Sequence, residues 1–189
     1  ADADTGLTPA LNEFFGALQN VTSNPTNVAA RQALISSGET LSARFRTLDG
    51  RISEISEGIE TEMRSTLESI NGYAAAIAEL NERIVTSRAG GAGSAANDLL
   101  DQRDQAIAEL NRLVKVSTVA QRDGTLTVFI GSGQSLVMGN RAKQLELGEQ
   151  LDENGRSMIM VSGNSGVVEP LAESQLGGGT LGSLLDARS

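Results

Sequence analysis

The 189-residue sequence has no cysteine, no histidine and no tryptophan, and its aromatics are four phenylalanines and one tyrosine. Without Cys or His there is no disulfide, no thiolate nucleophile, no imidazole base, no Ser-His-Asp triad and no Cys/His metal site. Lys115 and Lys143 are the only amines besides the N-terminus, and neither has a Ser three residues before it, so a Ser-Lys hydrolase lacks its motif. No cofactor is expected. Positive charge is also scarce: 15 Lys+Arg stand against 24 Asp+Glu, a net charge of −9. Nucleic-acid binding rests on clustered cations that neutralise phosphates, so that partner is not expected. No apolar run approaches the ~18–20 residues that cross a bilayer, and no basic-then-apolar leader opens the chain. A membrane partner is therefore not expected either. A start at Ala1 suggests a fragment of a longer chain.

Proline is nearly absent as well, and none interrupts the sequence between Pro25 and Pro170. The first helix is expected over about 8–23, with Thr8 as N-cap, Pro9 at the first helical position, and Leu11, Phe14, Phe15, Leu18 and Val21 on one face. Asn24-Pro25 ends it. A second helix is expected over about 27–88. Leu34, Leu41, Phe45, Leu48, Ile52, Ile55 and Ile59 recur at steps of three and four, the seam of a coiled coil. Ile59, Met63 and Leu67 take two steps of four, a stutter. Leu67, Ile70, Ala74, Ile77, Asn81 and Ile84 then resume the alternation. Gly38, Gly50, Gly58 and Gly72 interrupt this helix, each at a cost of about 1 kcal/mol relative to Ala. Asp49-Gly50 is a possible break, but the seam keeps phase across it. A glycine-rich turn at 89–94 leads to a third helix over about 97–114, capped by Asn97 or Ser94, with Leu99, Leu100, Ile107, Leu110 and Val114 on its apolar stripe. Most of the seam, from Leu41 to Ile84 and through Leu99, Ile107 and Leu110, is expected to bury against helices of the same chain; packing of its flank against neighbouring subunits is the other reading, and both can hold. Leu48, Ile52, Ile55 and Ile59 in particular are expected to lie under the first or third helix.

From Lys115 the period changes from 3.6 to 2. Val116, Thr118 and Ala120 alternate, Asp123-Gly124 signals a hairpin, and Leu126, Val128 and Ile130 alternate on the return. Further turns at Gly131-Ser132-Gly133, Gly139-Asn140, Asn154-Gly155 and Gly163 to Gly166 separate short strands, about five or six in all. The expected fold is α+β. A helical rod over 1–114 forms an elongated antiparallel bundle. A small antiparallel β-domain occupies 115–175, and a linker at 176–189 opens an incomplete returning helix.

Three patterns imitate chemistry. Asp98, Asp101 and Asp104 recur every three residues, but on a helix they fan round the axis with Arg103 among them, as surface charges at a helix start do. Gly90-Gly91-Ala92-Gly93 lacks both the Gly-Lys-Ser/Thr and the preceding strand of a phosphate loop, and Gly131-Ser132-Gly133-Gln134 leads into a strand. Pairs such as Glu54/Glu57 and Asp152/Glu153 are what 24 acids produce by chance. No catalytic or metal-binding residue is expected.

An ordered set of segments resembles the flagellar hook-associated protein 1 family. It comprises Leu7 to Leu11 with Phe14-Phe15, Ala17 to Gln19 and Asn24-Pro25; Ala29 to Leu34; Ile77 to Asn81; Asn97 to Asp104 with Leu110 and Leu113-Val114; Gly133 to Val137; and Gly178 to Leu185 with Arg188. The resemblance implies a non-enzymatic structural subunit at the junction between hook and filament, outside the cell. It implies export through the flagellum's own type III apparatus without a cleaved signal peptide, with an export chaperone for the full-length chain. The implied partners are other copies of itself and neighbouring axial proteins, the hook and junction subunits. In that family terminal segments drive polymerisation, and the expectation is that both are missing here. A coiled-coil signalling or adaptor module is the alternative; it accounts for the seam but not for a β-domain set between helices.

Overall fold

The computed structural model describes residues 6–90, 93–153, 155–163 and 167–189, and of 93–96 the backbone alone. In order, the elements are α1 (Leu7–Ser23), α2 (Val28–Ala89), α3 (Gly93–Leu113), β1 (Val116–Ala120), β2 (Leu126–Ile130), β3 (Gln134–Met138), β4 (Arg141–Ala142), β5 (Gln144–Leu151), β6 (Ser157–Ser162), β7 (Val168–Leu171), a single 3-10 turn (Glu173–Gln175) and α4 (Gly179–Arg188). The fold is α+β. The chain divides into two compact units, 1–57 and 58–189. The division falls within α2, not at 114/115 where the period changes. The reason is packing: the C-terminal half of α2 shares one core with α3 and the sheets.

In the first unit the N-cap of α1 is Gly6, which has no side chain to make a capping bond, and not Thr8, the second residue of the helix. Pro9 is thus the third helical residue and not the first, yet it lies within the first turn, where a missing N–H leaves no intrahelical bond unmade. The Asn27 side chain caps α2, its Oδ1 accepting from the N–H groups of Ala29 (2.9 Å) and Ala30 (3.3 Å). Ala10, Ala30 and Ser37 are buried, and the Phe14 ring lies 3.7 Å from where a Cβ at Gly38 would stand. α2 runs through Gly50 without a break.

The second unit carries the main core. Met63, Leu67, Ile70, Ala74 and Ile77 of α2 meet Ala106 and Leu110 of α3, Val114, and the inward strand residues Val128, Ile130, Leu136, Val137, Leu145, Ile159, Val161 and Leu171. Leu176, Leu181 and Leu185 close it from the C-terminal side, so α4 returns to the helices. A smaller cluster joins Leu80 and Ile84 to Leu99. The third helix starts at Gly93, four residues before Asn97. Of the turn expected at 89–94, residues 91 and 92 lie outside the described residues, as do Asn154 and 164–166 of two later turns.

Among the described residues seven strands form two antiparallel sheets, β1-β2-β3-β4 and β5-β6-β7. In the first, Thr118 faces Val128 and Val137 faces Ala142; in the second, Leu145 faces Val161. The two-residue β4 and the division into two sheets are what the turn signals left unread. β1 is an edge strand, exposed beyond Val116, so its alternation does not bury a face. The Asp123-Gly124 hairpin forms as expected: Gln121 N–H bonds the Thr125 carbonyl at 2.9 Å, and Gly124 takes φ +89°.

Candidate functional site

The seam divides into two regimes. Met63, Leu67, Ile70, Ile77, Ile84, Leu99 and Leu110 are buried, and Ile59 and Ile107 pack half-buried on the same core. Leu41 is half-buried. Phe45, Leu48, Ile52 and Ile55 are exposed, at 50, 39, 64 and 62%. The expectation that Leu48, Ile52 and Ile55 lie under α1 or α3 is therefore corrected. Every residue from 43 to 58 is exposed. The physical reason is reach. α3 has 21 residues, roughly 30 Å of helix, and its apolar stripe is used up by α2 from Met63 to Ile84. A three-four alternation establishes that a helix face is apolar; it does not say which polypeptide covers it.

Four large apolar side chains recur at seam spacing along this exposed stretch of α2. Apolar patches left open to solvent serve as interaction surfaces when they are contiguous. The same unit exposes Phe15, Leu18, Val28 and Ile35.

The second unit owes its definition to polar ties that periodicity does not reveal. Asn81 occupies a seam position and is fully buried. Its Nδ2 donates to the carbonyls of Leu126 (2.9 Å) and Gly139 (2.8 Å). Its Oδ1 accepts from Leu126 N–H (3.0 Å) and from Arg103 Nη1 (3.1 Å). Arg103 also donates to the Gly124 carbonyl at 3.0 Å, so it is a buried tie between α3 and the hairpin and not a surface partner for the aspartates. Burial lowers its pKa, Asp104 opposes that shift, and Arg88 adds to it. Asn71 does the same for the second sheet, its amide exchanging two 2.8 Å bonds with the backbone of Leu145. At the C-terminal end Arg188 Nη1 donates to the Ser157 carbonyl (2.9 Å), Nη2 pairs with Glu173, and the Arg188 carbonyl accepts from Arg156 (2.7 Å). Burial, then the neighbouring Arg156, lowers the Arg188 pKa. A polar residue within an apolar alternation was the one sequence signal for Asn81; Arg103 and Asn71 gave none.

Asp98, Asp101 and Asp104 are all exposed, and among the described residues no group of acids could hold a metal ion. Among those residues, too, no helix is long and apolar enough to cross a membrane. What this surface offers is packing: an uncovered helical row on one unit, and a rigidly tied α+β body as the other.

The family model described as "Flagellar hook-associated protein FlgK helical domain" matches residues 1–189. Flagellar hook-associated protein 1 of Salmonella typhimurium is 38% identical over 190 residues, covering all of this chain and 34% of that protein. The protein of that name from Escherichia coli is 37% identical over 186 residues, and that from Bacillus subtilis 24% over 170. The solved structure of the flagellar hook junction protein FlgK from Burkholderia pseudomallei superposes with a TM-score of 0.84 at 32% identity, over 97% of this chain and 33% of that one. The chain thus spans about a third of the length of the relatives it matches.

Proposed function

The chain belongs to the FlgK helical-domain family, and from that premise we propose that it serves as a structural, non-catalytic part of the bacterial flagellum at the junction between hook and filament. The observation that carries this reading is the uncovered row Phe45, Leu48, Ile52 and Ile55. Exposing these side chains gives up the transfer free energy of each, about 1.5–3 kcal/mol for a fully buried large aliphatic, and a partner that covers them recovers it. The work done is association, not chemistry. The partners are other copies of the protein and its neighbours along the axis, the hook and junction subunits. The whole seam from Leu41 to Leu110 then serves two purposes: its buried part sets the α+β body, and its open part meets another helix.

The route outward is the flagellum's own export apparatus, without a cleaved signal, with a chaperone holding the full-length chain. A sequence without cysteine supports that route, because a chain that travels unfolded and folds outside the cell has no thiols to mispair.

Deletion of the gene tests the reading. Cells without it should build hooks that carry no attached filament, visible by electron microscopy. Filaments of normal length on those hooks would overturn it.

A further inference from the structure

The second unit carries a knob and a hole at opposite ends of the β5-β6 hairpin. At the open end, where Gln144 pairs with Ser162, a pocket of about 130 Å³ lies between the two sheets. Among the described residues its lining is Leu136, Met138, Ala142 and Gly163 with two cations, Arg141, which is exposed, and Lys143, which is half-buried. Leu136 is 1% exposed, so the pocket opens onto the core. A cavity of about 150 Å³ lined by aliphatics admits benzene, so this one has room for one aliphatic side chain. Among the described residues neither Arg141 nor Lys143 takes part in an ion pair.

At the turn end, where Leu151 pairs with Ser157, Leu151 itself is 60% exposed. It stands between Glu149 and Glu153, both exposed and both outside any ion pair among the described residues. The two ends are seven residues apart along β5, roughly 23 Å.

We propose that Leu151 of one copy enters the Leu136-Ala142 pocket of the next, with Glu149 and Glu153 against Arg141 and Lys143. The occupant is a second copy because this chain itself carries the acid-flanked apolar side chain that an apolar pocket with two cations in its lining selects. Knob and hole lie on different patches, so the contact is head-to-tail. Such contacts repeat, closing into rings or running on as helices according to the rotation between neighbours. In a chain of net charge −9 the general field keeps copies apart, and a local pair of cations gives one approach that it favours. The contact rests on the reading that copies of the protein assemble, and it names where they meet.

The absence of cysteine makes the test direct. Leu151→Cys and Ala142→Cys are made separately in the 189-residue chain, and their folding is checked by circular dichroism. The two are then oxidised alone and mixed, at high protein concentration. The mixture should form disulfide-linked dimers at least about tenfold faster than either variant alone, because docking raises the effective concentration of the paired thiols. Arg141→Glu with Lys143→Glu in the Ala142→Cys chain should remove that excess, and Glu149→Lys with Glu153→Lys in its partner should restore it. Dimers forming equally fast in the unmixed samples would overturn the contact, as would an excess insensitive to charge reversal. An Ile52→Cys chain is oxidised in parallel. If it cross-links and the 151/142 mixture does not, this contact fails and self-assembly stands; if neither does, both fail.

Discussion

A buried amide with every hydrogen-bonding group engaged adds to stability, and removing it leaves its former partners unsatisfied. Asn81 ties α2 to Leu126 and Gly139 and supplies one of two acceptors for the buried Arg103. Asn81→Leu should therefore cost about 1–3 kcal/mol or more, the range for leaving buried polar partners unsatisfied. Urea denaturation measures it. Glu79→Ala, which removes only the exposed partner of Arg83, should cost less than about 1 kcal/mol. Equal losses would mean that the amide network is not what joins helix to hairpin. Gly131 is bound to its residue type in a different way. It takes φ +57°, and a Cβ there would lie 1.5 Å from the Gln175 carbonyl oxygen. Gly133 has φ +126° but open space around it. Gly131→Ala should lower the melting temperature beyond Gly133→Ala, because the positive φ strains both and only the first adds a collision with the Gln175 backbone. Asp123 supplies a pH dependence. The Thr125 N–H and hydroxyl bind its carboxylate and hold its pKa below the ordinary carboxylate value. A group depressed in the native state adds stability above its unfolded value and loses it as pH falls through its native value. Stability curves of the wild type and Asp123→Ala should thus lie apart at neutral pH and draw together in acid.

Among the elements, α2 best separates what periodicity tells from what it withholds. Its alternation marked Met63, Leu67, Ile70, Ile77 and Ile84 as apolar-face residues, and all five are buried. The identical alternation at Phe45, Leu48, Ile52 and Ile55 marked a face that stays exposed. The strands from Val116 to Leu171 were legible from their turns, since Gly124, Gly131, Gly139 and Gly155 all take the positive φ that hairpin chemistry requires. The two-sheet arrangement was not, because which strands pair is decided by long-range docking such as that of Asn71 on Leu145. The glycines of α2 did not break it, because phase is kept by side chains on the turns either side. Nothing lies within 4 Å of a Cβ placed on Gly50 or Gly58. Gly50→Ala should then stabilise by about 0.4–1 kcal/mol, through loss of freedom in the unfolded chain. The two regimes of the seam should also separate: Ile70→Ala should cost about 2–5 kcal/mol, and Ile55→Ala almost nothing in the isolated chain. Similar costs at the two sites, read from thermal unfolding, would place Ile55 in a core.

For the molecule as a whole, stability and function draw on different residues. The body from Gly58 onward is held by its own core and its Asn and Arg ties. The apolar row on the other unit stays largely exposed, and by the proposed reading a partner covers it. In dilute solution the net charge of −9 opposes association of identical copies, and salt screens that repulsion. The central claim is that the row Phe45 to Ile55 serves assembly and not folding. Ile52→Lys with Ile55→Lys, made in the whole protein, tests it most directly. The double variant should keep the far-ultraviolet circular dichroism and melting temperature of the wild type, yet leave hooks without attached filaments when it is the only copy in the cell. Hooks carrying filaments of normal length would contradict the account.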